Sequence, residues 1–239
     1  MKQLLFLFIT VLSLHSFAQD NAVVNDANAQ NRTLNAGFTS ITVSDGIDLY
    51  LTQGGEESVA VSASDPKYLE RFKTEVKDGA LKIWYDNKGM IWNSNEKRKL
   101  TAWVSFKTLE NLHASAGADV SMKSVLTAEK IQLSFTSGSQ FTGQVSAGQM
   151  EVSQNSGSEI NMTGKADILK VEVSSGALFK GYELSVEYAD AKATSGAGIR
   201  ININKELHAK ANSGGAIRYK GTGVIKDIDV NTGGVVKKA

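Results

Sequence analysis

The sequence predicts an all-β fold: a parallel β-helix, or solenoid, of coils about 19 residues long, preceded by an N-terminal β cap with one short helix. Two observations carry this. A small residue followed by glycine recurs at Gly117, Gly138, Gly157, Gly176, Gly196, Gly214 and Gly233, with successive glycines 18 to 21 residues apart. Around these glycines two apolar columns run unbroken. Three residues after each stand Val120, Phe141, Ile160, Phe179, Ile199, Ile217 and Val236; five before each stand Leu112, Leu133, Val152, Val171, Ala191, Ala209 and Ile228. Regular spacing of this kind means stacked copies of one unit, each unable to bury its apolar face alone.

The period excludes some repeat architectures. It is less than half of a propeller blade, and the Leu-rich frame of leucine-rich repeats is missing. Glycine suits the corners, where a Cβ restricts the backbone. Directly before the corner pair runs a polar column, Ser115, Thr136, Asn155, Ser174, Thr194, Asn212 and Asn231, able to hydrogen-bond from coil to coil.

Taken from the start, Met1-Lys2, the apolar run Leu4 to Leu14 and the small residues Ser16 and Ala18 read as a secretory signal over residues 1–18. Residues 19–37 are polar and read as a flexible leader. Residues 38–239 form a single β-helical domain, divided into a cap at 38–106 and repeat coils at 107–239. Within the cap, alternation over Phe38 to Val61 predicts strands broken at Ser44-Asp45-Gly46 and Gln53-Gly54-Gly55. Asp65-Pro66 opens a helix whose apolar face takes Leu69, Phe72 and Val76. Asp78-Gly79 then turns the chain into a strand at Leu81 to Tyr85. A polar stretch follows at Asp86 to Lys99, and strand alternation resumes at Leu100 to Phe106.

Composition narrows the function. The chain has 26 basic and 25 acidic residues, and loss of Lys2 with the signal leaves it formally neutral, so no nucleic-acid partner held by bulk charge is expected. Cysteine is absent, so neither disulfides nor a lipidated cysteine is available. After residue 18 no apolar run is long enough to span a bilayer. These features predict an exported protein, periplasmic, outer-surface or extracellular.

The run Ile41 to Leu51 (ITVSDGIDLYL), the run Val76 to Ile83 (VKDGALKI) and the Ser-Gly coils together resemble the head GIN domain family of auto-transporter adhesin heads. The resemblance covers about residues 38 to 236. It implies a β-helical fold, a Bacteroidetes-like envelope setting and adhesion, and it supplies no catalytic residues.

Enzyme signatures are weak. His113 and His208 lie several coils apart, which disfavours a shared metal or a His-based triad, and no Gly-x-Ser-x-Gly elbow is present. Neither catalytic nor metal-ligating residues nor a cofactor are assigned. Two residues after the glycines, Asp119 and Glu159 face outward two coils apart. Their separation of about 9.6 Å sits at the edge of the span used by inverting glycosidases, so a polysaccharide hydrolase is one alternative. A structural rod or envelope assembly subunit, with self-association through the coil ends, is another.

The more informative column lies four residues after the glycines. It reads Ser121, Thr142 and Asn161, then Lys180, Arg200, Arg218 and Lys237. Cations on four successive coils repel by nearly 1 kcal/mol per neighbouring pair even in water, so the stripe reads either as a soluble face resisting aggregation or as a candidate site for an anionic or envelope glycan. Trp84, Tyr85 and Trp92, around the polar loop, are candidate stacking residues. The sequence is therefore read as a non-enzymatic binding and adhesion module.

Overall fold

The computed structural model describes residue 24 and residues 26–89 and 97–239. Residues 1–18, read from the sequence as a secretory signal, and Trp92 lie outside them.

All the strands belong to one sheet wound into a solenoid. Its body is β10 (Leu126–Phe135), β11 (Gln140–Gln154), β12 (Glu159–Val173), β13 (Leu178–Ala193) and β14 (Gly198–Ala211), each paired in parallel with the next. Above β14 the coil is split between β15 (Ala216–Lys220) and β16 (Val224–Val230), and β17 (Val235–Lys238) follows on β15.

The corners explain the period. At each one, two consecutive residues take positive φ, for example Ser156 at 52° and Gly157 at 71°, and Ser158 N–H donates to the Asn155 carbonyl at 3.2 Å. This is the hydrogen-bonded turn that reverses direction with the natural twist of a strand. The corners also bind one another: Gly157 N–H donates to the Ser175 carbonyl of the next coil at 3.1 Å, and Gly176 N–H repeats this to Ser195. In the polar column, Thr136 Oγ1 donates to Asn155 Oδ1 on the next coil.

Both apolar columns point inward and stack in register. Val120, Phe141, Ile160, Phe179, Ile199 and Ile217 pair coil by coil and are buried. The interior is thus one continuous stack of side chains, stabilised by apolar burial at roughly 25 cal/mol per Å². On the last coil the inward Ile228 and Val230 are 49% and 43% exposed.

The N-terminal part differs from a simple cap. The segments β2 (Ser40–Val43) and β3 (Asp48–Gln53) form a true coil, with the corner pair Asp45-Gly46 at φ 64° and 67°. The chain then leaves this coil and lays β6 (Ala80–Tyr85) and β7 (Thr101–Phe106) on one side of it. It returns through β8 (Asn111–Ala114) and β9 (Asp119–Met122) on the other. Gly46 N–H accordingly donates to the Ala116 carbonyl at 2.9 Å, continuing the corner ladder across a long insertion.

Antiparallel strands close this end. β4 (Ser58–Ser62) pairs with β7, β5 (Phe72–Lys77) with β6, and β1 (Gln30–Arg32) with β4. The segment read as a leader therefore supplies an edge strand at Gln30–Arg32. The helix is confined to α1 (Pro66–Leu69), capped by Asp65, whose carboxylate accepts from Lys67 N–H at 3.0 Å. Phe72 and Val76 lie in β5 instead of continuing it. Residues four apart share a face in a strand as well as in a helix, and the Asp78-Gly79 turn commits this segment to the hairpin.

Candidate functional site

The outward column four residues after each glycine is in register along the solenoid. Lys180 pairs with Arg200, Arg200 with Arg218, and Arg218 with Lys237. In the other direction it runs through Asn161, Thr142 and Ser121 to Tyr50 and Trp103. Ladder bonds fix the backbones at the parallel strand spacing of about 4.8 Å, so the cations cannot separate along the axis.

Neutralisation is uneven. Lys180 Nζ lies 2.5 Å from Glu159 Oε1, one coil below. Among the described residues, no carboxylate comes within 4.0 Å of Arg200, Arg218 or Lys237, whereas Lys130, Lys170, Lys192, Lys205, Lys220 and Lys226 all reach one. Arg218 and Lys237 are exposed, and Arg200 is partly so. Beside the row, the outward column two residues after each glycine is apolar or small at the same coils: Leu178, Gly198, Ala216 and Val235. A flat basic strip with an uncharged border results.

Residues 37–223 match a family model described as "Putative auto-transporter adhesin, head GIN domain". The chain belongs to that family.

Solved structures with the same fold as this head GIN domain chain include three from Bacteroidetes. One is a "putative adhesin" from Bacteroides fragilis NCTC 9343, 17% identical, with TM-score 0.79, covering 88% of this chain and 96% of the other. The "putative lipid binding protein" from Parabacteroides distasonis ATCC 8503 is 18% identical, with TM-score 0.67 and coverage of 90% and 98%. The third is a "putative adhesin" from Parabacteroides merdae ATCC 43184, 18% identical, with TM-score 0.66 and coverage of 90% and 97%. At these identities the likeness is one of fold. No curated protein matches the chain.

Elsewhere on the head GIN domain the predicted residues fare differently. Tyr85 is 2% exposed and belongs to the core, with the Arg98 guanidinium 4.3 Å from its ring centre, so it offers no surface for stacking. Trp84, half-buried, lies opposite Lys73 in the β5–β6 hairpin, away from the basic row. The loop beyond them is tied to its own cap: Arg71 Nη1 donates to the carbonyls of Asp86 and Lys88, and Asn87 Nδ2 to Asp45 Oδ1. The aromatic end of the column is Tyr50 paired with Trp103, their ring centres 6.0 Å apart, with Lys123 Nζ 4.2 Å from that of Tyr50. It escaped the sequence reading because its coil stands outside the regular spacing.

The acidic column gains a member for the same reason. Asp48 pairs directly with Asp119, below Gln140 and Glu159. Burial, reinforced by the Asp119 charge, pushes the Asp48 carboxyl above the usual aspartate range. Glu159 is engaged by Lys180. Among the described residues no group of three or more His, Asp or Glu side chains is placed to hold a metal, and no helix is long and apolar enough to cross a membrane.

The second half of the coils bears a shallow cavity of about 780 Å³ lined by Glu110, Glu129, Lys130, Gln149, Asp167 and Ile168, among others. Gly148 opens it, having no side chain between Glu129 and the next coil. Of its charged lining residues Glu110, Glu129 and Asp167 have no cation within 4.0 Å among the described residues, whereas Lys130 pairs with Glu151 at 3.3 Å. Such exposed pairs are ordinary surface stabilisation.

Proposed function

We propose that this protein is an exported, non-enzymatic binding module of the adhesin type, holding an anionic glycan or other anionic envelope polymer on the row Lys180, Arg200, Arg218 and Lys237. One observation carries the reading: on three consecutive coils Arg200, Arg218 and Lys237 stand in direct register with, among the described residues, no carboxylate within 4.0 Å, so a stacked run of like charges is left without an internal counter-ion. An incoming anion relieves that repulsion, and guanidinium groups grip carboxylate or sulfate with two parallel hydrogen bonds. The family's adhesin description and the adhesin-named structures support a binding role; the name of the P. distasonis protein adds lipids as a ligand class within the same fold.

The test is a binding titration of the purified protein against sulfated, uronic and neutral polysaccharides, beside Arg200→Glu/Arg218→Glu. Affinity for the acidic polymers that falls at least tenfold in the variant and weakens with added salt is the expected result. Equal affinity in parent and variant, or no preference for acidic over neutral polymers, overturns the reading.

A further inference from the structure

We infer that the row takes a linear polyuronate, a glycan with one carboxylate on every residue, lying parallel to the solenoid axis so that successive carboxylates meet successive coils. The inference rests on the anion-binding reading of this row and specifies its ligand.

The geometry of the column favours a chain over a compact anion. Arg200, Arg218 and Lys237 are in direct register without a bulge among them, so their attachment points rise by the strand spacing of about 4.8 Å per coil. A single phosphate or sulfate would engage one neighbouring pair and leave the third cation exposed to repulsion. A polymer with one charge per residue at a matching rise neutralises all three, and each further contact is intramolecular once the first is made.

The surroundings favour a sugar chain over other polyanions. The uncharged border at Gly198 and Ala216 gives the C–H faces of rings a place to rest beside the guanidinium groups. Past Lys180 the same column continues with the amide of Asn161 and the hydroxyls of Thr142 and Ser121, at the same rise and in register. These groups both donate and accept, as sugar hydroxyls do, whereas the bridging and terminal oxygens of a polyphosphate only accept and leave the acceptor oxygens of Asn161, Thr142 and Ser121 unused.

The experiment uses labelled oligogalacturonates of one to six residues with the purified protein, read by fluorescence anisotropy at low and physiological salt. Affinity should rise by about fivefold or more per added residue up to three or four residues, then flatten as the free cations are all engaged. In Lys237→Ala, which removes the exposed cation at the end of the row and leaves the core intact, the rise should stop one residue earlier. Binding to short anions that is lost in Arg200→Ala/Arg218→Ala yet indifferent to chain length would overturn the linear geometry while leaving anion binding in place. Failure of every anion to bind would remove both. An oligothymidylate of equal charge that binds as tightly as the hexauronate would overturn the assignment to a glycan.

Discussion

Asp48 and Asp119 stand directly opposite each other on β3 and β9, two carboxylates on adjacent coils with no cation between them among the described residues. Burial and the facing charge raise the Asp48 pKa, the reverse of what a salt bridge would do. The folded protein therefore takes up this proton at a higher pH than the unfolded chain. The unfavourable contribution of ionised Asp48 is in force above the raised pKa and fades as pH falls through it toward the ordinary value of 3.8. Asp48→Asn should stabilise the protein at neutral pH by about 0.2–1 kcal/mol, the scale of facing like charges in a sheet. That advantage should shrink as the solution is acidified below the raised pKa. Urea unfolding of parent and variant across the acid range measures it, and a constant difference at all pH values would count against the mechanism.

Glu187 titrates in the opposite sense. Hydrogen bonds from Asn204 and Lys205 hold its carboxyl below the usual glutamate range. Its favourable contribution is full above 4.5 and is lost as pH falls through the lowered value. Glu187→Gln should therefore remove part of the parent's loss of stability in acid, visible in the same titration.

Two glycines with positive φ separate backbone strain from collision. Gly157, at φ 71°, has open space where a Cβ would go, so Gly157→Ala should cost about 1 kcal/mol from the left-handed backbone alone. At Gly164, φ 109°, a Cβ would lie 2.0 Å from the Val145 carbonyl oxygen of the coil below. Gly164→Ala should therefore cost several times more, and it should loosen a ladder contact of β11 with β12. Thermal unfolding ranks the two; equal losses would mean that the neighbouring coil gives way.

These corners show what the sequence makes legible. Equal spacing identifies the coils because each corner has the same backbone need, and the inward columns follow from it. Register on the outward face follows as well, so the stacking of Lys180, Arg200 and Arg218 is readable from residue numbers. The coil at Asp45-Gly46 is not, since the long β4–β7 excursion separates it from its neighbour at Ala116-Gly117 and erases the period. Tyr50 and Asp48 are hidden with it. Neutralisation is equally invisible in sequence: whether Glu159 answers Lys180 while no described carboxylate answers Arg218 depends on side-chain reach across coils.

Beside four buried serines, the described interior holds one long polar side chain, Gln154. Gln154 is 1% exposed and stacks between Phe135 and Val173, with Oε1 lacking a partner among the described residues and Nε2 making only long contacts, 3.3 Å to the Leu178 carbonyl and 3.5 Å to that of Ser158. A buried acceptor without a hydrogen bond is costly, while a leucine there would extend the apolar stack. Gln154→Leu should raise stability by about 1 kcal/mol. A loss of that size on denaturant unfolding would mean that the amide's donated bonds outweigh its stranded oxygen.

Glu159→Gln divides the binding reading from the hydrolase alternative most sharply. If the row binds anions, Glu159 is an internal counter-ion that occupies Lys180 at 2.5 Å, and its neutralisation frees a fourth cation in register with the other three. Affinity for an acidic polysaccharide should then rise by about twofold to tenfold at low salt, on the scale of one added partly screened charge contact, and converge with the parent as salt increases. If instead Asp119 and Glu159 act as an acid and base pair, the same substitution should abolish release of reducing ends from the polymer and leave affinity nearly unchanged. One variant, assayed for both readouts, gives opposite signatures because the same carboxylate is a competitor for the ligand in one account and a reacting group in the other.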